Sequence, residues 1–357
     1  AKLKEAQTKK GTKTPWDNFV INVLFMQTYD KLHDRADEAP VLLEAAKSQY
    51  ATAEQQEAWR RVAVGIYFQQ KDYAKTIEIG QEAIQHGGSQ DLYATVALAQ
   101  EAQGKYKEAA QTIQKAIDKQ SKPSENFLVF QWNAYNKVKD EADANKVIQK
   151  LVTYYPKPDY WLNALHPLLT MTISDAHVQM EVFRLMDDVG VLKQPQDFAM
   201  MAQLSFDQGY PGETVAVLQE AFQKKAFTDQ RDVLRYQHLL MGAMQRATQD
   251  QAQLPAEAQK AQSAATGDPL VAVGQAYLSY GQPDKAAPLI QAGIAKGGLK
   301  YPEQATLLLG IAQLRSHNVA GAHKAFDKVS ASSNPSYAQL GKLWVLRSAS
   351  ATTQHSA

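Results

Sequence analysis

Residues 268–298 read DPLVAVGQAYLSYGQPDKAAPLIQAGIAKGG, and their reading decides the fold. The pattern predicts two short helices joined at Ser279-Tyr280-Gly281-Gln282. Asp268 caps the first helix and Pro269 takes its first helical position, where the missing N–H costs nothing. Gly281 supplies a turn that few other residues tolerate. Gly297-Gly298 ends the second helix. Small residues at Gly274, Ala286 and Gly293 let the helices approach closely, while Tyr277 and Ile290 fill the space beside them. Such a hairpin leaves an apolar face uncovered, so it needs neighbours of its own kind.

Weaker copies align on this stretch without gaps. Val64, Tyr67, Lys71, Thr76, Gly80 and Ala83 take the spacing that runs from Gly274 to Gly293. Ala97, Gln100, Gly104, Ala109, Ile113 and Ala116 follow, then Trp132, Tyr135, Lys139, Ala144, Ile148 and Leu151, closed by Pro156. Further on stand Ala202, Ser205, Gly209, Thr214, Leu218 and Ala221. The last set is Gly310, Gln313, His317, Ala322, Phe326 and Val329, followed by Pro335. Neighbouring sets are offset by 33, 35 and 36 residues, and a period near 34 is the mark of stacked helix pairs.

On these residues the chain resembles the tetratricopeptide repeat superfamily, in particular its bacterial periplasmic type. The fragments GIYFQQKDYAKTIEIGQEAI (65–84), LAQEAQGKYKEAAQTIQKAI (98–117) and AYLSYGQPDKAAPLIQAGI (276–294) carry the likeness best. It covers about two-thirds of the chain. Lys71, Lys139 and His317 depart from it, standing where the turn glycine is usual. The resemblance implies an all-α fold, a right-handed α-solenoid of antiparallel helix pairs, degenerate in the middle. It also implies a scaffold or peptide binder rather than an enzyme.

The expected organisation is one solenoid over 15–350, between a flexible tail at 1–14 and a disordered tail at 351–357. Within it, 15–50 forms an N-terminal cap pair, 54–156 regular repeats and 157–265 degenerate, Met-rich repeats. Regular repeats resume over 268–335 and a capping helix spans 336–350. In the degenerate part, Pro167 should kink or break its helix. Residues 230–265 should form two helices around a Gln-rich spacer, the second running from Pro255 to Ala265 with little apolar face.

Composition narrows the function. The 357 residues carry 38 Lys and Arg against 37 Asp and Glu, a net charge of +1. A nucleic-acid binder would usually show a basic excess. No apolar run approaches the roughly 18–20 residues needed to span a bilayer. Cysteine is absent, which excludes disulfides, thiolate metal sites and a cysteine nucleophile. None of the eight histidines forms an HExxH pair, and there is no phosphate-binding glycine loop and no GxSxG elbow. We therefore expect no catalytic residues, no metal and no cofactor.

Two stretches are candidates for binding. Asn126, Phe130, Asn133, Asn136 and Lys137 fall roughly on one stripe of a first helix, the helix that lines the concave side of a helical solenoid. Arg61, and Gln203 with Phe206, occupy comparable places. Asn, Gln and Lys there suit a peptide backbone or carboxylate, although an ordinary solvated face reads the same way. Second, seven of the eight methionines lie between Met171 and Met244. Met171, Met200, Met241 and Met244, with Trp161, mark the candidate apolar site. Methionine reshapes around irregular ligands but also fills gaps in degenerate cores. The first reading makes the protein a scaffold for a protein or peptide partner. The alternative makes it a soluble carrier of a lipid or other large hydrophobic molecule. The cysteine-free composition and the abrupt polar start suggest a mature or trimmed form from the bacterial periplasm, with the cytoplasm as the alternative.

Overall fold

Six residues in the left-handed region punctuate the chain at the positions the repeat alignment marks. Lys71, Gly104, Lys139, Gly209, Gly281 and His317 have φ of 61°, 74°, 56°, 82°, 65° and 62°. At each, the N–H of the next residue returns to the carbonyl four positions before the turn residue. Asp72 donates to Tyr67, Lys105 to Gln100, Asp140 to Tyr135, Tyr210 to Ser205, Gln282 to Tyr277 and Asn318 to Gln313, over 2.8–3.0 Å. This cap closes the first helix of a pair and aims the second back along it. Lysine and histidine hold the strained φ because both flanking helices are fixed by packing.

The computed structural model describes residues 13–354 together with Glu5 and Thr8, so most of the first expected tail and residues 355–357 of the second lie outside the described residues. Its contacts divide the chain into two compact units, 1–154 and 155–357, where the sequence suggested one array.

The first unit holds α1 (Pro15–Leu32), α2 (Arg35–Ala46), α3 (Ala53–Gln69), α4 (Tyr73–Gln85), α5 (Gln90–Ala102), α6 (Tyr106–Ile117), α7 (Glu125–Lys137) and α8 (Glu141–Tyr154). Capping boxes at Thr14/Asp17 and Thr52/Gln55 start α1 and α3. Each helix packs on the next. Thr76, Ala109 and Ala144, the small residues read from the spacing, are buried where second helices meet first ones. Polar ties repeat with the period as well. Lys107 Nζ donates to Asp140 at 3.2 Å, 33 residues on.

The second unit holds α9 (Pro158–Met171), α10 (Ala176–Asp188), α11 (Pro195–Asp207), α12 (Pro211–Gln223), α13 (Gln230–Gln262), α14 (Asp268–Ser279), α15 (Pro283–Lys296), α16 (Pro302–Arg315), α17 (Val319–Ser330) and α18 (Pro335–Gln354). The α14–α15 pair is the quoted stretch; Gly274 and Gly293, with Gly267 just before it, sit where the helices touch, whereas Gly281 and Gly297 serve the turns. A Cβ built on Gly267 would lie 1.9 Å from the Gly293 carbonyl oxygen, so backbone meets backbone with no room for a side chain.

Four expectations need correction, the first being the cap of α14: Gly267 takes that place, and Asp268 begins the helix with its carboxylate accepting from the Lys300 N–H at 3.0 Å. Pro167 does not break α9, which runs through it. The proline faces solvent, while Trp161, Leu165 and Leu168 bury the opposite side. Their burial outweighs a lost hydrogen bond and ring clash of about 3 kcal/mol. Residues 230–262 are one helix of 33 residues, not two. The spacer at 248–254 has no glycine to stop it and its Gln and Ala propagate a helix, and α13 continues through Pro255. Finally, α18 continues to Gln354, into the stretch expected to be a tail.

Helices far apart in sequence also meet within this unit. Every side chain from Val178 to Met186 on α10 is buried, because α16 and α18 cover it together with α9 and α11. Gln304 Nε2 of α16 donates to Glu181 at 2.9 Å, and Arg347 Nε of α18 donates to Asp188 at 2.6 Å. The His177 ring lies 4.2 Å from that of Tyr301. Repeats contacting only their neighbours would make none of these bonds.

Candidate functional site

The polar centre of the second unit is built on Arg184, of whose side chain 3% is exposed. Its Nε and Nη2 donate to the two carboxylate oxygens of Glu213 at 2.8 and 2.6 Å, and Nη1 donates to Glu181 at 2.5 Å. The Gln275 amide lies 2.7 Å from the Tyr210 hydroxyl, and its oxygen, turned to the guanidinium, accepts from Nη2 at 3.0 Å. Burial alone would lower the Arg184 pKa, but Glu181 and Glu213 outweigh it and hold the guanidinium above its usual range. Burial raises Glu181 despite Arg184 and Gln304, and it pushes the Tyr210 hydroxyl up to about 12. Each charge faces an opposite one, although Glu181 Oε2 is buried with no hydrogen-bond partner among the described residues, and the cluster ties helices α10, α12 and α14 together around one point.

Beside the cluster lies a 180 Å³ cleft whose charged walls are Arg184, Asp187, Glu213, Glu220 and Arg315. Burial, and then the facing Glu220, push the Asp187 carboxyl up to about 6 against the pull of Arg315. Its folded value exceeds its unfolded one. The stability it contributes is therefore complete below the unfolded value and lost as pH rises through about 6. Asp187→Asn should stabilise the protein by up to about 3 kcal/mol at pH 8 and by about 1 kcal/mol at pH 4.5. Denaturant titrations at both pH values measure the difference, and an equal gain at the two would refute the coupling.

A second concavity of 780 Å³ lies among α12, α13 and the end of α14, lined by Val215, Ala216, Gln219, Met244, Ala247, Thr248 and Tyr280 among others. The Tyr280 hydroxyl donates to Asp250 at 2.6 Å and closes one end.

The candidates named from sequence fall in several places. On α7, Asn126, Asn133 and Lys137 are exposed and Phe130 is half-buried, and their spacing places all four on one face. Asn136 is exposed but turned aside, its amide donating to the Trp132 carbonyl of its own helix. Arg61 is exposed on α3. In the second unit, Gln203 donates to Asp207 on its own helix. Phe206 lies beneath the Arg246 guanidinium, 4.2 Å from it. Trp161 is a core residue of α9. The methionines divide: Met180, Met186 and Met201 are buried, whereas Met171, Met200, Met241 and Met244 are exposed. Met201 and Met244 line different cavities.

Sequence reasoning missed Arg184, Glu181 and Glu213. The available signal was Glu181 and Arg184, three apart, inside the apolar run VQMEVFRLM. Charges at that spacing in such a run pair with each other or with a neighbouring helix. Among the described residues, no group of three His, Cys, Asp or Glu is placed to hold a metal ion, and no helix is long and apolar enough to cross a membrane.

No protein-family model matches the chain, and no curated protein matches it either. Solved structures with a similar layout include a tetratricopeptide repeat protein from Parabacteroides merdae, at 11% identity and TM-score 0.33, over 92% of this chain and 98% of that one. The TPR2AB-domain:pHSP90 complex of yeast Sti1 matches at 14% identity and TM-score 0.27, over 83% of this chain and 98% of that one. Naa15/Naa10 bound to HypK-THB matches at 12% identity and TM-score 0.32, over 96% and 63%. The tetratricopeptide-like layout of this chain stands on its own six left-handed turns and the helix pairs they join.

Proposed function

We propose that the protein is a non-enzymatic scaffold that holds a protein or peptide partner on the first helices of its N-terminal unit, in a bacterial envelope setting. One observation carries the binding surface. Positions 62, 95 and 130, related by the repeat offsets, are Val, Thr and Phe, and three residues on stand Gly65, Leu98 and Asn133. Val62 is 40% and Leu98 42% exposed on this stripe, although the core of each helix is already filled by its other face. Apolar side chains left open beside Asn133 and Lys137 suit a peptide that buries side chains and has its backbone hydrogen-bonded. The cysteine-free composition supports the setting, and the absence of any catalytic motif in the sequence supports a non-enzymatic role.

Photo-crosslinking in the native cell tests the surface. A photoreactive residue replacing Leu98 or Asn133 should give one shared protein adduct. The same residue replacing Gln111, exposed on the second helix α6, should give none. Leu98→Arg should abolish co-purification of that partner. Equal adducts at 98 and 111, or none at 98 and 133, would sink the reading. Met201 and Met244 line different cavities and Met180 and Met186 are buried in the core, which leaves the apolar carrier without a common methionine-lined pocket.

A further inference from the structure

The N-terminal half of α13 extends beyond the helix paired with its C-terminal half. α14 runs back along α13 from Asp268 and ends at Ser279, opposite Asp250. At that point lies the 780 Å³ groove between α12 and α13, bounded by Ser279, Tyr280 and Gly281. Leu234, Met241 and Met244 stand on this half, 51%, 60% and 47% exposed. Their spacing of seven and three places them on one face. That face leads into the groove, which Met244 lines together with Val215 and Ala216.

Charge then selects the occupant. Residues 224–246 contain five basic side chains, Lys224, Lys225, Arg231, Arg235 and Arg246, against Asp229 and Asp232. The local excess is three positive charges, in a chain whose net charge is +1. Lys224 is already held by Glu220 and Arg246 lies on Phe206. Lys225, Arg231 and Arg235 are exposed near the turn where α12 passes into α13, Arg231 within 3.5 Å of Asp229 and Arg235 over the Tyr236 ring.

We propose that this face docks an acidic amphipathic helix from a partner protein. Its apolar side seats on Leu234, Met241 and Met244, and its carboxylates meet the basic residues around them. From Leu234 to Gln251, α13 offers roughly 25 Å at 1.5 Å per residue, which matches a helix of about five turns. The inference rests on the scaffold reading but uses the other unit, so the two can fail separately.

The test uses the full chain and two synthetic amphipathic peptides of about 18 residues with identical leucine spacing. One carries Glu on its polar face, the other Lys. Fluorescence anisotropy should show the Glu peptide binding and the Lys peptide failing to bind. Leu234→Ala with Met241→Ala should weaken binding about tenfold. Arg235→Glu should weaken it too, added salt should weaken it further, and Leu98→Arg should leave it unchanged. Equal binding of both peptides, no binding of the Glu peptide, or indifference to Leu234 and Met241 would overturn the proposal. Vesicles of phosphatidylglycerol form the remaining arm. If they bind through Leu234 and Met241 while neither peptide does, the surface belongs to a membrane and the proposal fails.

Discussion

Arg184→Ala should cost the second unit about 3–5 kcal/mol. The loss is not that of the ion pairs themselves. A buried pair gains little over a well-packed apolar substitute, because desolvation offsets most of the attraction. Removing one partner is different. Without Arg184, the Glu181 and Glu213 carboxylates lose their counter-charge, Glu181 at a fully buried position. Gln304 remains as one donor to Glu181, and one donor does not hold a buried charge. The carboxylates must then take up protons or open the site to water. A control separates charge from volume. Arg184→Met combined with Glu181→Gln and Glu213→Gln removes every charge while keeping most of the bulk, and should recover more than half of the loss. Denaturant titration of the full chain, followed by hydrogen exchange in α10, measures both. A loss below about 1 kcal/mol in the single variant would show that water already reaches the cluster.

What was legible in the sequence follows from how local each cause is. The turns at Lys71, Lys139 and His317 could be read although none is glycine. The small and apolar residues on either side fix the register, and the register fixes where the chain must reverse. The long α13 was misread because Gln and Ala look like a spacer when apolar periodicity is the only guide. Pro255 is the one helix breaker in residues 247–262, and α13 runs through it because the contacts with α14 supply what the sequence of α13 does not display. The polar centre was beyond reach for another reason. Arg184 finds Glu213 29 residues away, and Glu181 finds Gln304 123 residues away. No spacing rule spans those separations. Met241 and Met180 look alike in sequence. One is exposed and the other buried because α16 and α18 fold back over α10 while nothing described covers that side of α13.

That return of the last helices sets the second large effect, Trp344→Ala, at about 3–5 kcal/mol. Trp344 is fully buried, and its ring stacks on Phe326 at 5.2 Å with 20° between planes. Phe326 in turn lies against Gly310, where an added Cβ would come within 2.4 Å of the ring. A backbone, a phenyl ring and an indole thus form three layers from α16 through α17 to α18, and removing the indole leaves a void that neither neighbour can fill without leaving its own contact. The indole Nε1 has no hydrogen-bond partner among the described residues, so Trp344→Phe loses volume but no bond and should cost only about 1–2 kcal/mol. Hydrogen exchange shows where the loss is felt. If α18 is what covers α10, Trp344→Ala should speed exchange in α10 as strongly as in α17, although α10 lies more than 150 residues away in the chain. Arg347→Ala, which cuts only the partly exposed bond to Asp188, should loosen α10 in the same direction by a smaller amount. Faster exchange confined to α17 and α18 would mean that α9, α11 and α16 suffice to bury α10, leaving the Arg347–Asp188 bond a surface tie of little weight.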